Sequence, residues 1–139
     1  MISIVIDTNV FVSALMSADG ASYKLVSMLD SGVFKICLST AVVIEYESVA
    51  KRLLGTKIML SEQDIDDLID YLCSIATLQE IFYLWRPTLK DSGDEMILEL
   101  AANARCSYII THNVRDFQGI EQFGIAVISP KDFLRQIGA

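Results

Sequence analysis

The sequence predicts an α/β fold, a three-layer α/β/α sandwich around a central, mainly parallel sheet. Three observations carry that prediction. Short apolar runs alternate along the chain with longer segments of helical periodicity. Those runs are apolar nearly throughout, as in ISIVI and SYIIT, which is the pattern of strands covered on both faces. Polar capping residues stand where several of the runs give way to helical segments, at Asp7, Ser39 and Ser129. Helices on both faces of a parallel sheet satisfy all three.

In order, Ile2–Ile6 is the first strand. Helical spacing follows over Val10–Met16 and over Ser22–Leu29, the latter ended by Gly32. Phe34–Leu38 is a short second strand. Ser39 or Thr40 caps a helix running to Leu54, where Gly55 stops it. Ser61 with Asp64 makes a capping-box pattern for a helix to Ile75. Ile81–Trp85 is a candidate strand. Ser92 with Glu95 is a second box, opening a helix whose Met96, Ile97, Leu100, Ala101 and Ala104 share one face. Ser107–Thr111 and Ile125–Ile128 are the remaining strands. Ser129-Pro130 opens the last helix, with proline where no donor is needed.

The 139 residues suit a single domain, 1–139, that buries about two-thirds of its unfolded surface. Apolar residues make up 53% and charged ones 21%, which excludes a disordered chain. Met16, Met28, Met59 and Met96 read as core residues. No apolar run approaches the roughly 18 residues of a membrane helix. The N-terminus lacks a basic region, and Asp7 interrupts its apolar stretch, so no signal peptide is expected. Cys37, Cys73 and Cys106 are scattered, odd in number and free of CxxC spacing. Reduced thiols of a cytoplasmic protein follow.

The net charge of −7 argues at first against a nucleic-acid partner. The distribution alters that. Ser61 to Glu80 carries six acids and no base, leaving 12 acids against 11 bases elsewhere. The acidic excess therefore sits on one segment, a solvated helix face, and RNA is not excluded.

The stretch IVIDTN places a carboxylate directly after a buried strand, where an uncompensated charge is costly. Two readings compete. Asp7 caps the next helix, or it is a site residue, because open α/β sheets bind ligands at the carboxyl ends of their strands. Further polar groups fall at comparable places. Glu45 lies one turn into the helix after the second strand, at the edge of the face formed by Val42, Val43, Tyr46 and Val49. Asp94 is in the first turn of its helix, where the helix dipole also favours it. Asn113 and Asp116 follow the strand that ends at Thr111. Each has an ordinary explanation as a surface, dipole or capping residue. Together they follow different strands whose ends converge. Clustered carboxylates repel unless a cation neutralises them. An oxygen-only set without His or Cys suits Mg²⁺ or Mn²⁺. Such ions polarise phosphoryl oxygens and acidify water, the chemistry of phosphodiester hydrolysis.

Other readings are weaker. No GxGxxG or GxxxxGK[ST] phosphate loop occurs. A dehalogenase-type phosphatase resembles DxD, and position 9 is Asn. A receiver domain would need an acid ending a central strand near residue 50. His112 reads as a loop residue rather than a base. Arg52 lies seven residues after Glu45, on nearly the same helix face, and its guanidinium suits phosphate. An exposed surface Arg is the competing reading. Lys51, Arg86, Lys90 and Arg115 are further candidates for an RNA groove.

The stretches IVIDTNVFVSAL, LSTAVVIEYESVAKRL, DSGDEMILELAANARCSYIIT and THNVRDF, in this order and spacing, resemble the PIN-domain family over essentially the whole chain. Within that family they are most similar to the ribonuclease toxins of bacterial and archaeal toxin–antitoxin pairs. The resemblance implies a parallel α/β/α sandwich acting as a Mg²⁺- or Mn²⁺-dependent endoribonuclease. It implies Asp7, Glu45 and Asp94 as metal-binding catalytic acids, and Asn9 as the residue orienting the first acid or a metal-bound water. Thr111 matches the polar residue at the strand end. Many members carry Asp at the position of Asn113, so the next acid here is Asp116, a secondary metal ligand. The resemblance further implies a small cognate antitoxin, a homodimer, and products with 5′-phosphate and 3′-hydroxyl ends. The rival reading is a catalytically weak RNA-binding or protein-interaction module, supported by Asn113. A DNA nuclease of the same architecture is a third.

Overall fold

The computed structural model describes residues 1–81, 92–120 and 123–139, and of Ser92 the backbone only. The elements are β1 (Ile2–Ile6), α1 (Thr8–Met16), α2 (Ala21–Ser27), β2 (Phe34–Leu38), α3 (Thr40–Arg52), α4 (Glu62–Ile75), β3 (Thr77–Leu78), α5 (Ser92–Asn103), β4 (Tyr108–Ile110), β5 (Ala126–Ile128) and α6 (Pro130–Gln136). A 3₁₀ turn spans Val114–Phe117. The five strands form one sheet in the order β3-β2-β1-β4-β5. Every neighbouring pair is parallel, with Ile4 opposite Ile36, Val5 opposite Ile109 and Ile109 opposite Val127. Helices cover the sheet to complete the three-layer α/β/α sandwich. Ile4, Val5, Leu38, Ile109 and Ile110 are wholly buried, which is why the central strands are apolar on both faces.

Strand order positions the site. From β1 the chain steps to β2 and β3 on one side, then crosses back to β4 on the other side of β1. Connections leaving β1 and β4 therefore run in opposite directions, and a crevice opens outside the carboxyl ends of those two strands. Asp7 ends β1 there and Thr111 ends β4.

The structure departs from these expectations at several points. A strand that was not expected forms at Thr77–Leu78, parallel to Cys37–Leu38. Ile81 belongs to no strand, and residues 82–85 lie outside the described residues. The cause is where α4 stops. Ala76 turns extended beside the free edge of β2, and the Gln79 N–H then reaches the Leu38 carbonyl at 2.8 Å. Helix α1 begins at Thr8 rather than Val10, directly after its cap Asp7. Ser92 falls within α5, and its side chain, on which the expected box with Glu95 depends, lies outside the described residues. Met16 and Met59 are exposed, at 42% and 80%, while Met28 and Met96 pack partly buried against the core. Met16 ends a helix and Met59 lies in a loop, and isolated exposed apolar side chains are ordinary there.

Candidate active site

Asp7 continues the ladder of β1 by donating its N–H to the Ile110 carbonyl at 2.8 Å. Its backbone is extended (φ −64°, ψ 150°), and its carbonyl accepts the Val10 and Phe11 N–H groups that open α1. The side chain is only 7% exposed. Oδ1 accepts from the Thr8 N–H at 2.8 Å, and Oδ2 accepts from the Thr111 hydroxyl at 2.7 Å. The capping reading is therefore correct but incomplete. The bond is to the first helical N–H, not to the second or third where caps usually bond. The second oxygen is committed across the sheet instead.

Thr111 is fully buried and organises what surrounds it. While its hydroxyl proton goes to Asp7, its oxygen accepts from the Asn113 N–H at 3.0 Å and from Asn9 Nδ2 at 3.5 Å. Asn9 Oδ1 accepts the His112 N–H at 3.4 Å. Asn9 is thus a brace between α1 and the turn after β4, and only indirectly in touch with Asp7.

Beneath Asp7 lies Tyr46, wholly buried, its ring stacked on Phe11 with centroids 4.5 Å apart and planes 10° from parallel. The Tyr46 hydroxyl donates to the Ile6 carbonyl, at the residue before Asp7. Burial, and secondarily the Asp7 charge, push the Tyr46 hydroxyl well above its usual pKa, so it remains a donor. This residue escaped the sequence reading, which counted it only as packing beside Glu45.

Glu45 stands half-buried on α3, one residue before Tyr46, and Asp94 half-buried in the first turn of α5. Helix α3 packs against both α1 and α5, and α5 against β1, so the helices bearing these acids surround the strand that ends in Asp7. Among the described residues, however, no three His, Cys, Asp or Glu side chains are close enough to share one metal ion. Asn113 and Asp116 are exposed on the turn after β4, with the Asp116 N–H bonded to the Asn113 carbonyl at 3.0 Å. The Asn113 side chain makes no cap bond to the 3₁₀ turn that it opens.

Arg52 is exposed at the end of α3 and forms no ion pair among the described residues. Lys51 differs. Its ammonium is held by Asp66 at 2.7 Å, Glu47 at 3.5 Å and Glu62 at 3.6 Å, which raises its pKa and satisfies it within the protein. Arg115 is exposed, while Arg86 and Lys90 lie outside the described residues. Glu95 and Glu99 were not foreseen as interior acids, yet they are 2% and 3% exposed. Their i, i+4 spacing along α5, on either side of the apolar Met96, Ile97 and Leu98, was the available signal.

Two solved structures share this fold. DNA-bound VapBC from Salmonella typhimurium aligns with a TM-score of 0.63 at 16% identity, over 94% of this chain and 99% of its own. VapBC2 from Rickettsia felis, bound to a DNA fragment from their promoter, aligns with a TM-score of 0.60 at 12% identity, over 91% and 97%. No curated protein sequence matches the chain. A family model described as the PIN domain matches residues 3–115, the span that carries Asp7, Glu45, Asp94 and Asn113, and the chain belongs to the PIN-domain family.

Proposed function

We propose that the chain is a Mg²⁺- or Mn²⁺-dependent endoribonuclease, the toxin of a toxin–antitoxin pair, acting as one domain in the cytoplasm. The observation that carries this reading is the Asp7 carboxylate, held at the crevice between β1 and β4 by the Thr8 N–H and the Thr111 hydroxyl. A carboxylate fixed there by short bonds is ready to serve a ligand without reorganising.

The donor chemistry fits a hard cation. Asp7, Glu45 and Asp94 are oxygen donors, with Asp116 and the Asn113 carbonyl as secondary ones. Because no three acids among the described residues stand close enough to share an ion, one or two would bind directly and the others through water, an arrangement Mg²⁺ favours. When bound, the ion supplies charge stabilisation at the phosphoryl oxygens. The protein's part is to hold Asp7 in place through Thr111, to brace the turn after β4 through Asn9, and to present Arg52 to the RNA backbone. The fold is shared with complexes named VapBC, which supports a small antitoxin as cognate partner; the homodimer is part of the same proposal.

A second reading, an RNA-binding module without turnover, draws on Asn113, an exposed amide where many relatives carry an acid. End-labelled single-stranded RNA with Mn²⁺, purified away from any antitoxin, separates the two. Native protein should cleave, and Asp94→Asn should lose about 10²–10³-fold in rate while keeping its fold. Asn113→Asp should tighten metal binding with a modest change in rate. Binding without cleavage by the native protein, with activity created by Asn113→Asp, would establish the second reading. Cleavage undiminished in Asp94→Asn would sink the catalytic assignment.

A further inference from the structure

Beside the carboxylate crevice lies a cavity of about 320 Å³ between α1, α2 and the start of α6. His112, the sole histidine of the chain, points into it. Its Nε2 lies 3.2 Å from the Ser13 hydroxyl and 3.1 Å from the Ser22 hydroxyl. Ser22 is 4% exposed, too buried to be a casual surface hydroxyl. One imidazole nitrogen offers either one proton or one lone pair. It cannot satisfy both hydroxyls fully, so one of them is left to turn its proton into the cavity. Lys131 lines the same cavity, is exposed, and has no ion pair among the described residues. An adjoining cavity of about 430 Å³ shares Lys131 and adds Lys24 and Arg135. Asp19 and Ala139 line it too, and Arg135 is partly engaged by Asp132 at 3.7 Å. Three bases thus stand with two acids around it, against 11 bases to 18 acids in the whole chain.

The cavity wall is joined through chain neighbours and hydrogen bonds to the candidate active site. Thr111, bonded to Asp7, is the residue before His112, and the His112 N–H is bonded to Asn9. Ser13 lies one helical turn beyond Asn9, a rise of about 5–6 Å. Hydroxyl donors beside an unpaired ammonium form a site for an oxyanion, and here it borders the crevice where an RNA strand would lie.

We propose that Ser13, Ser22, His112 and Lys131 form a phosphate subsite, which holds a backbone phosphate of the RNA strand next to the one presented to Asp7. This rests on the ribonuclease reading above. A free phosphate has the same chemistry, so the test must separate the two sources. Fluorescent octauridylate is titrated into the full chain in EDTA, so that nothing is cut, across a series of salt concentrations. The His112 ring signals are followed by NMR, unambiguously because no other histidine exists. The expected result is that the oligonucleotide shifts those signals. Lys131→Ala and Ser22→Ala should each weaken binding about 5–10-fold, and the salt slope of Lys131→Ala should fall by about 0.7. Lys131 is exposed, so its variant is informative even if Ser22→Ala fails to fold. Oligonucleotide affinities equal to wild type in the variants, or His112 signals moved by inorganic phosphate but not by octauridylate, would overturn the subsite while leaving the ribonuclease reading intact. Wild-type protein that neither binds octauridylate nor cuts RNA with Mn²⁺ would overturn both.

Discussion

Tyr46 shows how one buried hydroxyl shapes a strand end. It donates to the carbonyl of Ile6, one residue from the carboxylate on which the proposed chemistry turns. Tyr46→Phe removes that bond while leaving the stacking on Phe11, and should cost about 1–3 kcal/mol in denaturant unfolding. As a positioning residue it should also lower kcat while leaving KM nearly unchanged, which a purely structural role would not do. The pH dependence has a defined sign. The Tyr46 pKa is raised in the native state, so above about pH 10 the unfolded chain loses this proton while the folded one keeps it. The unfolded state then binds fewer protons and stability falls as pH rises. Wild type should show that alkaline decline more steeply than Tyr46→Phe. Equal slopes would mean that Tyr46 is not held protonated by its surroundings.

Among the elements, the end of α5 carries a local conflict. Arg105 adopts φ +54°, the left-handed region that a non-glycine residue enters at a cost. It does so because the helix closes with the Cys106 N–H on the Ala101 carbonyl at 2.9 Å and the Arg105 N–H on the Ala102 carbonyl at 3.2 Å. That paired closure places its left-handed residue at position 105. Arg105→Gly should therefore stabilise the domain by about 0.5–1 kcal/mol, seen as a higher denaturant midpoint with an unchanged slope. A lower midpoint would show that the arginine side chain contributes more than its backbone costs. Elements also differ in how plainly the sequence announces them. The buried strands β1, β2 and β4 are short apolar runs, legible because burial on both faces demands it. The edge strand β3 is exposed, with Leu78 at 64%, so no burial pattern marks it.

For the whole molecule, the sharpest expectation is metal linkage. If acids on β1, α3 and α5 act on one ion, binding to the native state alone stabilises by RT ln(1 + [L]/Kd), about 2.7 kcal/mol at a hundredfold excess over Kd. For a chain of this size the melting temperature should rise by about 10 °C between chelator and saturating Mn²⁺. In Asp94→Asn the metal-free midpoint should hold or rise, as repulsion is relieved, and the increment should shrink. An unchanged wild-type midpoint at millimolar Mn²⁺ would count against a shared site. Charge at this scale is segregated. Glu62 and Asp66 of α4 face Lys51, while Lys24, Lys131 and Arg135 gather on another surface, so net charge alone is a poor guide to partners.

The sequence alone determined the fold class, most of the helices and the polar residues at the strand ends, because apolar runs, periodicity and caps are local signals within a few residues of one another. Asp7 and Thr111 were identifiable as strand-end residues for that reason. Only the tertiary structure decided which strand ends are neighbours. The bond between Thr111 and Asp7 spans 104 positions, and that between Ser22 and His112 spans 90. No local pattern encodes such pairings; they follow from the order β3-β2-β1-β4-β5, which sets β4 beside β1. The same order turned a loop histidine into part of a cavity wall and made Asn9 a brace. Residues become a site when strand order brings their separate segments together, and strand order is set by packing of the whole sheet rather than by any segment within it.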